Sequence, residues 1–202
     1  MKFHKYHGLG NDYIVMTPQE SAAQLTREQI IRICDRNYGV GSDGILFGPL
    51  PTADGVFGLK IYNPDASEAE KSGNGLRIFS RFLYDTGLVK DEPFFVDTLG
   101  GRVKAQVHQA GASVTVEMGR VSFDAGVIPV TGQTGEVLGA RLEVDGQEVI
   151  FNAATVGNPH CVVVRDEVSK LEACTLGPKL ENHPIFPNRT NVQFLKVLDR
   201  KN

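Results

Sequence analysis

The residues best suited to chemistry lie in the stretch Ser72-Gly73-Asn74-Gly75, where a strand pattern gives way to a helix pattern. Residues 56–62 are typical of a strand. Apolar residues then recur at helical spacing, at Leu76, Ile78, Phe79, Phe82 and Leu83. The free N–H groups of a first helical turn, with the positive end of the helix dipole, favour a carboxylate or phosphate. The stretch therefore predicts an anion-binding helix start; a glycine-rich loop that only turns the chain is the alternative.

The elements that must position this helix are mostly strands. The sequence predicts two strands within residues 3–16 and a helix opened by a capping box of Thr26 and Gln29. Hairpins are predicted at 93–107, around a tight turn at Gly100-Gly101, and at 142–151, around Asp145-Gly146. Further strands are predicted at residues 45–47, 113–118, 161–164 (buried) and 191–198.

The second half of the chain shows no helical pattern comparable to the one after Ser72. Residues 119–139 are rich in Gly, Pro and Val and carry little periodicity. We therefore place a domain boundary at the start of this segment, which predicts domains over residues 1–118 and 119–202.

Composition indicates an ordinary globular protein of 202 residues, with 41% apolar and 22% charged residues. The net charge of −3 argues against a nucleic-acid surface, and no apolar run is long enough to cross a membrane. No signal peptide is visible at the N-terminus. Three cysteines without metal-type spacing indicate a reducing cytoplasm, and the five histidines form no metal cluster. We expect Cys161, which enters an apolar strand, to be a buried structural residue.

The segment from Asn63 to Arg77 resembles the signature of the diaminopimelate epimerase family, with Ser72 where that family has a catalytic cysteine. Four more segments match family motifs in the same order along the chain. They are residues 7–13, 39–44, 157–161 and 190–194. Gly44 lies where some members carry a larger polar residue that contacts substrate, so this contact is not carried over.

The resemblance implies an α+β fold of two similar domains. Each is a curved, mostly antiparallel sheet wrapped around a central helix, with the active site in the cleft between them. On this template we expect the second domain to be incomplete in residues 1–202, lacking its helix and the second catalytic residue. We therefore expect residues 1–202 alone not to epimerise diaminopimelate.

The implied activity is a cofactor-independent isomerase that interconverts LL- and meso-diaminopimelate in lysine and cell-wall precursor synthesis, with neither pyridoxal phosphate nor a metal. Ser72 then takes the catalytic position. By this resemblance Asn63, Asn158 and Asn191 hold the distal end of the substrate; without the family pattern, each would be read as an ordinary loop or strand-end asparagine. The remaining substrate contacts implied by the resemblance are Asn11, Gly73 and Asn74.

Two other functions stay open. Proline racemase-like relatives that replace one cysteine by serine resemble hydroxyproline dehydratases, but the three asparagines favour a longer, doubly charged substrate. A non-catalytic binding module or an inactive fragment is the second alternative. For the implied epimerase we expect a small-molecule amino-acid substrate, no nucleic-acid or membrane partner, and a cytoplasmic location; a homodimer is one candidate assembly.

Overall fold

The computed structural model describes residues 2–21 and 24–199. The chain divides into two compact units, Met1–Met118 and Gly119–Asn202, and each is described by itself. Among the described residues, no helix is both long and apolar enough to cross a membrane.

The first unit is built on a mixed sheet of mostly antiparallel strands. Its neighbours are ordered β1-β2-β3-β4-β6-β7-β8, and β5 pairs with β4. The pairs β2/β3 and β4/β6 are parallel, whereas the other pairs are antiparallel. The strands span β1 His4–Gly8, β2 Asn11–Met16, β3 Ile45–Leu50, β4 Phe57–Tyr62, β5 Glu68–Ala69, β6 Phe94–Thr98, β7 Gly101–His108 and β8 Ser113–Glu117.

The predicted central helix is confirmed as α2, Gly73–Asp85, which is buried against this sheet. Its five apolar residues at helical spacing are at most 4% exposed. The helix contacts β1 and β2 at one end of the strand order and β7 and β8 at the other. A sheet whose two ends both reach one helix must curve around it. The predicted α+β class with a curved sheet around a central helix is therefore confirmed for this unit.

Two further predictions in the first unit can be compared with the structure: the capping box of the first helix and the turn of the β6/β7 hairpin. Helix α1, Arg27–Cys34, begins at the predicted capping box, in which Thr26 Oγ1 accepts from the Gln29 N–H and the Gln29 side chain accepts from the Thr26 N–H. A 3₁₀ turn, Gln109–Gly111, joins β7 to β8. The tight turn of the β6/β7 hairpin is displaced by one residue: Thr98 pairs with Gly101, so the turn residues are Leu99 and Gly100.

The second unit contains a four-stranded sheet in the order β12-β11-β10-β9. The β9/β10 and β10/β11 pairs are antiparallel, and β11/β12 is parallel. The two-residue turn predicted at Asp145-Gly146 is confirmed between β9 and β10. Both residues have positive φ, at 53° and 77°, as this type of hairpin turn requires. The strand predicted at 161–164 is confirmed, but its predicted burial holds for Cys161 and Val163 and not for Val164, which is 46% exposed. The strands are β9 Ala140–Val144, β10 Gln147–Thr155, β11 Pro159–Val164 and β12 Asn191–Leu195.

The expectation of no second comparable helix is wrong. Helix α3, Lys170–Glu181, follows β11 and contacts β12, with Ser169 as its N-cap. Its pattern is weak because Gly177 and Leu180 are its buried residues, while Leu171 is 74% exposed. Pro178 also lies inside the helix, where proline usually signals an end.

Leu180 should anchor α3 to the core of the second unit. Its side chain is fully buried in a cluster with Phe151 and Phe186, so Leu180→Ala should lower the free energy of unfolding by about 2–5 kcal/mol. Leu171→Ala makes the same change at an exposed position of the same helix, and should alter it by less than about 0.5 kcal/mol. Urea denaturation followed by circular dichroism measures both. Equal effects of the two variants would show that α3 is not docked in this way.

Candidate active site

Helix α2 begins at Ser72, whose conformation and side chain both fit an N-cap. Ser72 is extended (φ −140°, ψ 116°), and its Oγ accepts the Gly75 N–H at 3.0 Å. A Cβ at Gly75 would lie 3.1 Å from Leu46 and 3.2 Å from Ser72 Oγ, so glycine lets the cap pack closely on the sheet. The first turn of α2, which lies wholly within the described residues, carries no acidic side chain that would occupy its positive end.

The sheet brings three further polar segments to this end of α2. Strand β2 begins at Asn11, β3 begins just after Gly44, and β4 ends just before Asn63. Because β2 runs parallel to β3 and β4 runs antiparallel to it, these three points lie at the same end of the strands. Asn74 Nδ2 donates to Asn11 Oδ1 at 3.3 Å and so joins α2 to that end of the sheet. The first unit thus gathers Asn11, Asn63, Ser72, Gly73 and Asn74 at one end.

The side chain of Asn11 is held in one orientation. Its Nδ2 donates to Asp43 Oδ2 at 2.9 Å, which leaves Oδ1 to accept from Asn74. Asp43 is bound in turn by Arg36, with Nη2 2.7 Å from Oδ1, and the same Nη2 lies 2.6 Å from Asp12. Hydrogen bonds from Arg36, helped by Lys5, hold the pKa of Asp12 well below its usual range. An ionised network therefore supports the Asn11 amide.

Tyr13 is a site residue that the sequence analysis missed. Its Oη lies 3.2 Å from Ser72 Oγ, and the residue is 6% exposed. Burial, with a smaller contribution from Asp43, raises the pKa of Tyr13, so the phenol keeps its proton at neutral pH. A Cβ at Gly44 would lie 2.8 Å from the Tyr13 ring and 2.4 Å from Tyr62 O. The small residue at position 44 was the signal in the sequence, since it makes room for this ring.

The second unit brings Asn158 and Asn191 together. Asn191 begins β12 opposite His160 of the parallel strand β11, and its Nδ2 donates to Pro159 O at 3.0 Å. His160 Nε2 lies 3.2 Å from Asn158 Oδ1, and its Nδ1 lies 3.3 Å from Gln193 Oε1. The imidazole therefore fixes the Asn158 side chain against the strand pair.

Cys161 is not a nucleophile in this arrangement. It is fully buried, and burial raises the pKa of its thiol to about 12. Within residues 2–21 and 24–199, no three His, Cys, Asp or Glu side chains meet as they would around a metal ion.

Comparison with known sequences decides the family. The profile described as diaminopimelate epimerase matches residues 3–123 and 152–202. Diaminopimelate epimerase 2 of Nostoc sp. strain PCC 7120 is 56% identical over 200 residues, which cover 99% of this chain and 70% of that protein. The chain belongs to the diaminopimelate epimerase family. Its relatives are epimerases, so the family is one of isomerases.

Solved structures agree on the fold. A probable proline racemase from Agrobacterium radiobacter K84, with bound carbonate, superposes with a TM-score of 0.66 at 14% identity, covering 99% of this chain and 67% of that one. A hydroxyproline epimerase from Agrobacterium vitis, with bound trans-4-hydroxy-L-proline, gives 0.58 at 16% identity, covering 89% and 54%. At such low identity these likenesses show that this chain shares a fold with both proteins, and they carry nothing about ligands.

Close packing leaves no room for a side chain at Gly44. Gly44→Ala should lower the free energy of unfolding by about 1–3 kcal/mol, because the new methyl group meets Tyr62 O and the Tyr13 ring. Gly73→Ala is the matched control: its Cβ would meet Met118 Sδ at an ordinary 3.9 Å, so no loss is expected. Urea unfolding compares the two, and a stable Gly44→Ala protein would contradict this packing.

Proposed function

We propose that this protein interconverts LL- and meso-diaminopimelate in the cytoplasm, as a step of lysine and cell-wall precursor synthesis, without pyridoxal phosphate or a metal. The observation that carries the proposal is the 56% identity over 99% of the chain to a relative named diaminopimelate epimerase. The capped start of α2 beside Asn11 supports it, because epimerisation needs a site for the carboxylate next to the reacting carbon. We also take units Met1–Met118 and Gly119–Asn202 as two epimerase-like domains.

The start of α2 is the proposed carboxylate site. The α-proton of an amino acid is very weakly acidic, so catalysis requires stabilisation of the enolate-like charge that forms on the carboxylate when this proton leaves. Backbone N–H groups at Gly73 and Asn74, aligned with the helix dipole, would supply that stabilisation at fixed positions. The absence of an acidic side chain from this described turn leaves the dipole available to the substrate.

The asparagines are the proposed contacts to the rest of the substrate. Asparagine carries both donors and an acceptor, so it can bind an ammonium and a carboxylate together. Asn11, held by Asp43 and Asn74, would contact substrate beside α2. Asn63 in the first unit is a proposed contact to the distal amino-acid group. Asn158 and Asn191 in the second unit are further proposed contacts to that group, and holding it keeps the reacting carbon in line.

Ser72 is the proposed catalytic residue, with a role different from that of a cysteine. The pKa of a cysteine thiol is ordinarily ~8.5, and a helix start can lower it to ~3.5–7.5. The thiol is then ionised at neutral pH and can remove a proton as the thiolate. A serine hydroxyl stays protonated in the same place unless a base lies beside it. We therefore assign Ser72 to donate a proton or relay one, rather than to abstract the α-proton unaided.

Exchange of the substrate α-proton for deuterium in heavy water tests both the activity and the role of Ser72. We expect the full-length protein to exchange diaminopimelate, and Ser72→Cys to leave the rate unchanged or lower it, because the neighbouring groups are arranged for a hydroxyl. A rise by orders of magnitude would show instead that Ser72 is merely a lost cysteine. Exchange of L-proline or trans-4-hydroxy-L-proline but not diaminopimelate would favour the proline racemase-like alternative, and binding without exchange would favour a binding module.

Asn158 offers a separate test of substrate binding. Asn158→Ala should remove one hydrogen bond to a charged substrate group, a loss of roughly 1.5–3 kcal/mol that weakens binding about 10- to 150-fold. Asn182→Ala is the control in the same unit, because Asn182 is exposed at the end of α3 and donates to Pro178 O. Calorimetry with diaminopimelate measures both proteins, and an unchanged affinity for Asn158→Ala would remove this residue from the site.

A further inference from the structure

Tyr13 and Ser72 form a pair of hydroxyl groups at the start of α2. Their oxygens are 3.2 Å apart, although the residues are 59 positions apart in the sequence. Ser72 Oγ also accepts the Gly75 N–H at 3.0 Å. Two groups from different elements, strand β2 and helix α2, therefore fix the position of one oxygen.

Either hydroxyl can donate in this hydrogen bond, and a count of donors and acceptors shows what each direction leaves free. A serine hydroxyl has one proton and two lone pairs, and the Gly75 N–H occupies one lone pair. Among the described residues, Ser72 is the hydrogen-bond partner of the buried Tyr13 Oη. If Tyr13 donates, its buried proton is satisfied and both lone pairs of Ser72 Oγ are used. The proton of Ser72 is then left to point away from both neighbours.

Space for the Tyr13 ring depends on Gly44. Any side chain at position 44 would begin with a Cβ 2.8 Å from the ring and 2.4 Å from a backbone oxygen. The phenol is therefore held by close packing on one side and by Ser72 on the other. Because burial raises its pKa, the phenol is neutral at neutral pH and able to donate.

We propose that Tyr13 is the positioning residue of Ser72: its phenol donates to Ser72 Oγ, directs the serine proton towards the substrate α-carbon, and replaces that proton once it has been transferred. The inference rests on the proposed function, since it needs an amino-acid substrate at the start of α2. The inference adds to the proposed function a specific hydrogen-bond partner for Ser72. This partner would let a hydroxyl act at the position where the family resemblance implies a thiol.

The proton transfers balance. A base on the opposite face of the substrate, in the role of the second catalytic residue that the family resemblance implies, takes the α-proton and becomes its conjugate acid. The electron pair left on the α-carbon then forms a new C–H bond with the Ser72 proton, as the serine O–H bond breaks. Ser72 Oγ takes the Tyr13 proton, which leaves a phenolate. The reverse reaction runs through the same steps in the opposite order, from the phenolate through Ser72 to the α-proton.

A double-mutant cycle tests the pairing in the full-length protein. Tyr13→Phe removes only Oη, and it should lower kcat for α-proton exchange of diaminopimelate by about 10²-fold with KM unchanged, the usual scale for loss of a proton-transfer group. In the Ser72→Ala background, Tyr13→Phe should have no further effect. Equal losses in both backgrounds would overturn the proposal, because Tyr13 would then act independently of Ser72.

Tyr6→Phe is the matched control, since Tyr6 Oη bonds to Asp85 at 3.1 Å, near the end of α2 rather than its start. Its kcat should be that of the wild type, and an equal fall in both tyrosine variants would also count against the proposal.

A second measurement needs no activity. Urea midpoints of the same four proteins without substrate should show that Tyr13→Phe lowers the midpoint when Ser72 is present and does not when it is alanine. Additive shifts would overturn the hydrogen bond itself. If the wild type does not exchange diaminopimelate, the proposed function fails together with the catalytic part of this inference, and the urea cycle still decides whether the two hydroxyls are paired.

Discussion

The packing of α2 inside its curved sheet is the constraint on which the first unit depends. Its apolar residues are almost completely buried, and strands from both ends of the sheet order contact the helix. Protein interiors are close-packed, so a helix held on several sides cannot slide or rotate without opening cavities. The position of its first turn is therefore fixed by side chains such as Phe79 and Phe82, which take no part in chemistry. That rigidity places Ser72 against Tyr13 and Asn74 against Asn11.

Elements with strong local signals could be predicted from the sequence, and elements determined by distant contacts could not. Helix α2 carries five apolar residues at one spacing, and α1 carries a complete capping box, so each was identified by nearby residues alone. Helix α3 was missed because Leu180 is its one fully buried large side chain and Pro178 interrupts the pattern. The Leu99-Gly100 turn was misplaced by one residue because cross-strand pairing sets the register, rather than the glycines themselves.

The residues of the candidate site also fall into those with a local sequence signal and those that depend on distant contacts. Ser72, Gly73 and Asn74 were found because a helix start is a local feature. The contact of Tyr13 with Ser72 depends on how a strand and a helix pack, which no nearby residue in the sequence records. The orientation of Asn11 likewise comes from Asp43, which precedes the neighbouring strand β3. The family motifs identified which asparagines to consider; the structure adds the partners that hold Asn11 and Asn158, and the catalytic and binding roles themselves stay predictions.

The contact between Gly44 and the Tyr13 ring also constrains how this protein can evolve. A larger residue at position 44 requires a shift of the backbone at Tyr62 as well as movement or loss of the Tyr13 ring, and loss of the ring removes the partner of Ser72. Substitutions at positions 13, 44 and 72 are therefore epistatic: the fitness effect of each depends on the residues at the other two. A lineage that exchanges this hydroxyl pair for a thiol and a larger side chain must pass through intermediates in a restricted order, with the change at position 13 preceding the one at position 44.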